Sequence, residues 1–425
     1  MKAKNYFKAI GPGLLFAGSS IGTSHLVLST RAGANHGMIY LWIILAALLF
    51  KYPFFEFGAR YTAATGHSLL KGYKEQGAWA IYSFLLVIVI SMFAVTGAIG
   101  AVCAGLLSTI FSLSLISVPL LAIIIIMVTV AILLGGGYGS LDKVIKFISI
   151  VLFISVLIAF VAVLIKGPVS MVPTFEPQPL LEGVGLTLFI GLLGWMPTGI
   201  EASAMNSLWI IKNQQTKNAK NTMSEILFDF NLGYFFTIIM AILFLILGAF
   251  TLYGSGQQLD GGTTEFSTKL MKVISDNLGP WSYPLVAIGA FGTIYGTLIT
   301  VLDGFTRALV GGLRALKYDD IVHGEEQSAY VNKMYRIFII ILGIGRACLF
   351  YFSSASMITM LDWATIISFL VAPLLAYLNI KVIRSIPAES EHKPHVFLLW
   401  LGYIGLILMI CFTVYYLMNF SSGGH

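Results

Sequence analysis

Apolar residues run through this chain in long blocks joined by brief polar links. Eleven blocks approach or exceed the roughly 20 apolar residues that a helix needs to cross a hydrocarbon core. They cover 10–33, 38–62, 79–111, 115–134, 144–166, 183–210, 227–253, 282–313, 331–352, 356–383 and 396–419. The longest links, 254–281 and 314–330, are too short to be domains, so 1–425 reads as a single transmembrane domain. Two blocks stumble in their middles. The first, GPGLLFAGSSIGTSHLVLSTRAGANHG, breaks at Gly22-Thr23-Ser24; the sixth breaks at GLLGWMPTGIEAS, where Pro197 removes a backbone donor between Gly194 and Gly199.

Interruptions five spans apart have a topological meaning. Five is odd, so two five-span halves lie in the membrane in opposite senses, as inverted repeats whose broken helices meet at the midplane. The expected halves are 10–166 and 183–383, with 396–419 as an extra helix. Unwound backbone survives at membrane depth only where protein buries it or where it lines a cavity.

Composition fits this pattern. Hydrophobic residues are 58% of the chain and charged residues 10%, against about 25% charged in soluble domains, and the mean hydropathy is +0.89. The basic N-terminus MKAKNYFKAI is followed by no small-residue cleavage site, so no removable signal is expected. Cys103, Cys348 and Cys411 are far apart and form no C-x-x-C pair, which argues against a zinc or redox motif. Basic residues follow the topology: with the N-terminus cytoplasmic, 19 of the 25 lysines and arginines fall on the inner side. An odd span count then places the C-terminus outside. The net charge of +6 is accounted for by this bias, and nucleic acid is not an expected partner. No ATP-binding or metallopeptidase motif is present, so uphill transport would draw on an ion gradient or a partner subunit.

The run Gly18-Ser19-Ser20-Ile21-Gly22 has three competing readings. Small residues let membrane helices pack closely. The letters also match a G-x-S-x-G nucleophile elbow, which would make Ser20 and His25 a hydrolytic pair, but that motif needs a strand before the serine. A substrate site at a deliberate break is favoured by the matching break in span 6.

The same stretches resemble a known family. The first span, with its GPG start and AGAxxG end, is similar to that of the Nramp divalent-metal transporters. The likeness continues in ARYTAATGHSLLKGY, GGGYGSLDKVIKF, GWMPTG, ILFDFNLGYF and FLVAPLLAYLNIKVI, over nearly the whole chain. It implies an all-α polytopic fold of the LeuT-like type: a 5+5 inverted repeat plus one helix, in 11 transmembrane helices. It also implies a secondary transporter whose cargo is a divalent metal ion, with no resident cofactor.

The chain departs from the family in its motifs. Gly22, Thr23, Ser24 and His25 stand where the family has Asp-Pro-Gly-Asn, and Met196-Pro197-Thr198 where it has Met-Pro-His. Span 3, SMFAVTGAIGAVCAGLL, has none of the carboxylates expected of a proton path. The candidate shell is therefore Thr23, His25, Met196, Thr198 and the freed carbonyls near Gly22 and Gly194, with His25 and Met196 as metal ligands. A neutral shell of this kind suits a soft ion such as copper or nickel. It also suits an organic solute, an amino acid or small carboxylate, held by helix termini and hydroxyls. A channel or a ligand sensor is the remaining alternative.

Ionisable residues inside a bilayer are functional candidates by default. Glu201, just beyond the span 6 break, is expected to be either a replacement proton carrier or half of an ion pair with Arg31 or Arg346. Asp303 in span 8 and Asp362 in span 10 could face the central cavity. Glu56 has Lys51 and Arg60 near it in sequence, which suggests a local pair. Asp229, entering span 7, and Asp142, starting span 5, are read as structural.

Overall fold

The computed structural model describes residues 10–422 apart from 114, 136–137, 218–220, most of 257–282, 319–324, 353–355 and 388–389, and also places Tyr6. Side chains from 138 to 149 are outside the description, so the Asp142 carboxylate expected at the start of span 5 lies outside the described residues, as do most of the 254–281 link and much of 314–330.

Span 1 consists of α1 (Pro12–Ser20), a π-helical turn (Ser24–Ser29) and α2 (Thr30–His36). Next come α3 (Ile39–Thr65), a short α4 (Leu69–Glu75), α5 (Ala78–Ile110), α6 (Val118–Leu134) and α7 (Tyr138–Lys166). Span 6 is again split, into α8 (Gly183–Trp195) and α9 (Ala202–Lys217). The remaining helices are α10 (Met223–Thr251), α11 (Tyr283–Lys317), α12 (Glu325–Phe352), α13 (Met357–Arg384) and α14 (Val396–Ser422). Among the described residues, seven helices are individually long and apolar enough to cross a membrane. Exposed Trp42, Leu86, Ile90, Ile158, Ile341 and Ile407 belong to the apolar outer surface expected against lipid.

The packing repeats when span numbers advance by five. Span 3 (α5) lies on span 10 (α13), and span 8 (α11) lies on span 5 (α7). Span 1 lies on span 7 (α10), and span 6 (α9) on span 2 (α3). Spans 3 and 8 touch each other, as do spans 4 and 9. These recurring pairs are what two copies of a five-helix unit produce.

Span 1 is held against α10 at backbone distance. A Cβ built on Gly13 would stand 2.0 Å from the Asp229 carbonyl oxygen, and one on Gly233 would stand 2.1 Å from that of Gly13. The Asp229 carboxylate then closes the end of α1. It accepts from Gly11 N at 3.0 Å and Gly13 N at 2.6 Å, satisfying amides that a helix start leaves free and meeting the positive end of its dipole. Asp229 is therefore placed in a helix-capping position.

Candidate functional site

Hydroxyl groups stabilise the first break. Ser19 and Ser20 donate back to the Phe16 carbonyl at 2.8 and 2.7 Å, a local bond that competes with the helix ladder. Thr297 of α11 donates to Gly18 O at 2.9 Å, and Gly22 leaves it room, since a Cβ there would stand 2.3 Å from the Thr297 hydroxyl. The Ser24 hydroxyl lies 2.7 Å from Ser20 O and 3.1 Å from Pro197 O, so one group touches both breaks.

The second break runs from Met196 to Glu201. Gly194 packs on α13, where an added Cβ would meet Thr365 O at 2.4 Å. Gly199 lets the Glu201 side chain fold back over the break, because a Cβ there would stand 2.3 Å from a Glu201 carboxylate oxygen. The freed carbonyls are not empty. Lys51 of α3 donates to Leu193 O at 3.1 Å, Gly194 O at 2.9 Å and Thr198 O at 2.7 Å.

Between the breaks lies a cavity. Span 1 supplies Ser19, Ser20, Thr23 and Ser24; span 6 supplies Trp195, Thr198, Gly199, Glu201, Ala202 and Met205. Thr297, Val301 and Phe305 of α11 and Val95 and Ile99 of α5 close the walls. The space open to the centre of a water-sized sphere is about 30 Å³, enough for one or a few waters or a small ion. Two buried polar atoms at this cavity have no hydrogen-bond partner, Thr23 Oγ1 and Glu201 Oε2. Glu201 is only 5% exposed, and among the described residues it is the one carboxylate in the lining. An unpaired polar group costs free energy in so dry a place unless a ligand completes it.

The structure sorts the residues expected at the site. Thr23, Ser24, Thr198 and Glu201 meet at the cavity, with Gly22 behind them against Thr297. His25 points elsewhere. Its ring is fully buried, with Nδ1 2.9 Å from Ser20 O and Nε2 3.1 Å from Thr237 O, so whichever nitrogen holds the proton donates to a carbonyl. Met196 is fully buried and outside the lining; the thioether that borders the cavity belongs to Met205. The Gly194 carbonyl, expected as a ligand, is taken by Lys51.

The expected ionic partners also rearrange. Arg31 pairs with Asp362 at 2.9 Å, and Asp303 accepts from Arg307 at 2.6 Å and from Tyr335 at 2.7 Å. Neither aspartate lines the cavity. The Arg346 guanidinium stacks on Phe350, 4.3 Å from its ring centre, in the slot left by Gly97. The ion pair anticipated between Glu201 and either arginine is thus replaced by other contacts. Glu56 does pair with Arg60, as its i,i+4 spacing suggests.

The serine-nucleophile reading loses its geometry as well. The Ser20 hydroxyl bonds its own helix at Phe16 O, and the His25 ring meets the Ser20 carbonyl rather than that hydroxyl. His25→Ala is expected to lower the apparent melting temperature in detergent, by a loss of roughly 2–4 kcal/mol from a buried bond and a void. Affinity for a ligand of the cavity, followed by calorimetry, should stay within about twofold, since the ring is not at the cavity.

A family model described as natural resistance-associated macrophage protein-like, Nramp, matches residues 13–419. The chain belongs to the Nramp family. It is 36% identical over 418 residues to an uncharacterized protein of Pasteurella multocida, a match spanning 97% of this chain and 92% of that one. In structure the Nramp chain is similar to a manganese transporter of Eremococcus coleocola crystallised with an aromatic bis-isothiourea compound. The TM-score is 0.69 at 15% identity, covering 96% of this chain and 85% of that chain. It is also similar to MhsT in complex with L-phenylalanine, with a TM-score of 0.62 at 14% identity, covering 95% and 97%. At such identities the likeness establishes the fold: an all-helical, multi-span membrane protein of the LeuT type. Nramp is a family of transporters, not enzymes.

Proposed function

We infer that this Nramp protein is a secondary transporter of a small cation, in the first place a divalent metal ion, bound between the breaks of spans 1 and 6. The observation that carries this reading is that the buried Glu201 Oε2 and Thr23 hydroxyl, neither with a hydrogen-bond partner, belong to residues lining one small cavity. One carboxylate with hydroxyls from Thr23, Thr198 and Ser24 forms an oxygen-rich shell. Oxygen ligands suit magnesium and manganese better than copper. An amino acid or small carboxylate would bring a negative charge against Glu201, and the space is small for it. The lysine and arginine distribution supports a cytoplasmic N-terminus and an external C-terminus. Access would alternate as the repeats 10–166 and 183–383 move against each other around the midplane site.

Reconstitution into liposomes tests this. Saturable flux of manganese or magnesium, exceeding that of copper, is the expected result. Uptake of an amino acid or a small carboxylate with no flux of manganese, magnesium, cadmium or copper would overturn it.

A further inference from the structure

Asn206 of α9 is 1% exposed, and neither its amide oxygen nor its amide nitrogen has a hydrogen-bond partner among the described residues. Turning the amide over changes nothing, because both of its ends lack a bond. A buried polar group in this condition costs free energy until a ligand or water completes it. Asn206 is not in the lining of the central cavity, so it is a separate place where something polar is wanted.

Each side of α9 has a different neighbour. Ser203 accepts from the Asn379 amide of α13 at 2.9 Å and Ser207 accepts from Leu69 N of α4 at 3.1 Å, so that side meets α13 and α4. Met205 and Trp209 pack where Gly304 of α11 leaves room; a Cβ there would stand 2.8 and 3.3 Å from them. Ala202 lines the cavity, and Asn213 lies 3.5 Å from a Cβ built on Gly11, at the start of α1. At 3.6 residues per turn, Asn206 falls within about 40° of both Ala202 and Asn213. It therefore stands on the line that leads from the cavity to the start of α1.

Helix α1 leaves a gap at the same level. Both helices run between the cavity and the Gly11–Asn213 contact, α9 forward in sequence and α1 backward. A step of seven residues from that contact toward the cavity leads to Gly18 on one helix and to Asn206 on the other. Seven residues are nearly two turns, so each step covers about 10 Å and returns to nearly the same face. Gly18 is partly exposed, and a Cβ there would meet nothing within 4 Å. The Asn206 amide is thus level with open space beside α1, about 6 Å along α9 from Ala202 and the cavity.

We propose that Asn206 is a second and weaker cation station, which receives the cargo from Glu201 as it passes between α1 and α9 toward the cytoplasm. The proposal rests on the reading of the cavity as a cation site and on the cytoplasmic N-terminus that accompanies it. The amide oxygen ligates the cation or one of its bound waters, and the amide nitrogen donates to another water. Oxygen ligands suit hard dications, which keep part of their hydration. An amide carries no net charge, so it holds a dication more loosely than the Glu201 carboxylate does. A conducting path needs sites favourable enough to enter and weak enough to leave. Leucine at this position would offer the ion nothing, and aspartate would detain it.

The test uses the full-length protein in liposomes, with Mn²⁺ as the cation and an internal metal-sensing dye. Asn206→Leu has nearly the same size and removes a buried group without bonds, so the melting temperature in detergent is expected to hold or rise. Mn²⁺ affinity by calorimetry should stay within about threefold, because the Glu201 shell is intact. Maximal flux is expected to fall at least about tenfold, since the ion loses its stop beyond the cavity. Wild-type maximal flux in that variant overturns the inference and leaves Asn206 hydrated by water alone. A joint fall in melting temperature and affinity assigns Asn206 to the fold and overturns it as well. Asn206→Asp puts a charge at the same point; Mn²⁺ bound per chain is expected to rise from about one to about two, with flux at least about tenfold slower. An unchanged stoichiometry in Asn206→Asp overturns the inference while cation transport by the wild type stands. Absence of any Mn²⁺ or Mg²⁺ flux in the wild type overturns the cation reading of the cavity, and the second station falls with it.

Discussion

Glu201→Gln is expected to abolish cation flux and leave the protein folded. The side chain is 5% exposed, and its Oε2 has no hydrogen-bond partner to lose. Glutamine is nearly the same shape, so the return of the side chain over Gly199 remains possible. The change removes the one negative charge that the described residues bring to the cavity lining. A dication bound by hydroxyls alone must give up its hydration for neutral oxygens, which hard cations do poorly. Affinity and flux should fall at least about 100-fold, roughly 2.7 kcal/mol, with elution and melting behaviour close to wild type. Manganese flux in liposomes and calorimetry on purified protein read the two halves of the claim. A residue carrying only protons would behave differently: gradient-driven accumulation would go while cation exchange survived. Wild-type flux in Glu201→Gln would remove the carboxylate from the site altogether.

Gly13→Ala is expected to damage the fold severely. The added carbon would stand 2.0 Å from the Asp229 carbonyl oxygen and 2.4 Å from its carbon. Both partners are backbone, so no rotamer change relieves the overlap; α1 and α10 must separate. Separation opens the Gly13–Gly233 contact and pulls the α1 amides away from the Asp229 carboxylate. Overpacking and a lost buried charged bond together cost about 4 kcal/mol or more, a large part of ordinary folding stability. Monodisperse protein recovered by size exclusion should drop at least roughly tenfold. Gly18→Ala provides the control on the same helix, because a Cβ there meets nothing within 4 Å. Equal yields from the two variants would mean that the close approach does not matter to the fold.

The span pattern was readable because lipid imposes it: α5, α10 and α13 begin and end within about four residues of the expected blocks. Both breaks were readable because glycine, proline and hydroxyl residues disturb helices in known ways. Glu201 drew attention because a carboxylate in a bilayer is costly. The orientation of His25 was not readable. Its expected ligand position came from its place in the family motif, but Ser24–Ser29 forms a wider π turn that changes which face a residue presents. Lys51 was passed over for a local reason. It lies five residues before Glu56, about 140° away around a helix of 3.6 residues per turn, and so faces span 6 while Arg60 takes Glu56. The seven-residue α4 is too short to show a period.

The contact between Asp229 and α1 also has a mechanical side. Its two hydrogen bonds grip the end of a rod rather than its flank. Such an attachment resists sliding and permits swivel. With nine residues, α1 is roughly 13 Å long at the usual rise per residue, so a tilt of about 10° swings its far tip by about 2 Å. That tip is Ser20, which lines the cavity. In such a tilt Asp229 would be the fulcrum of a lever, turning a small rotation at the start of α1 into a gap about as wide as an ion.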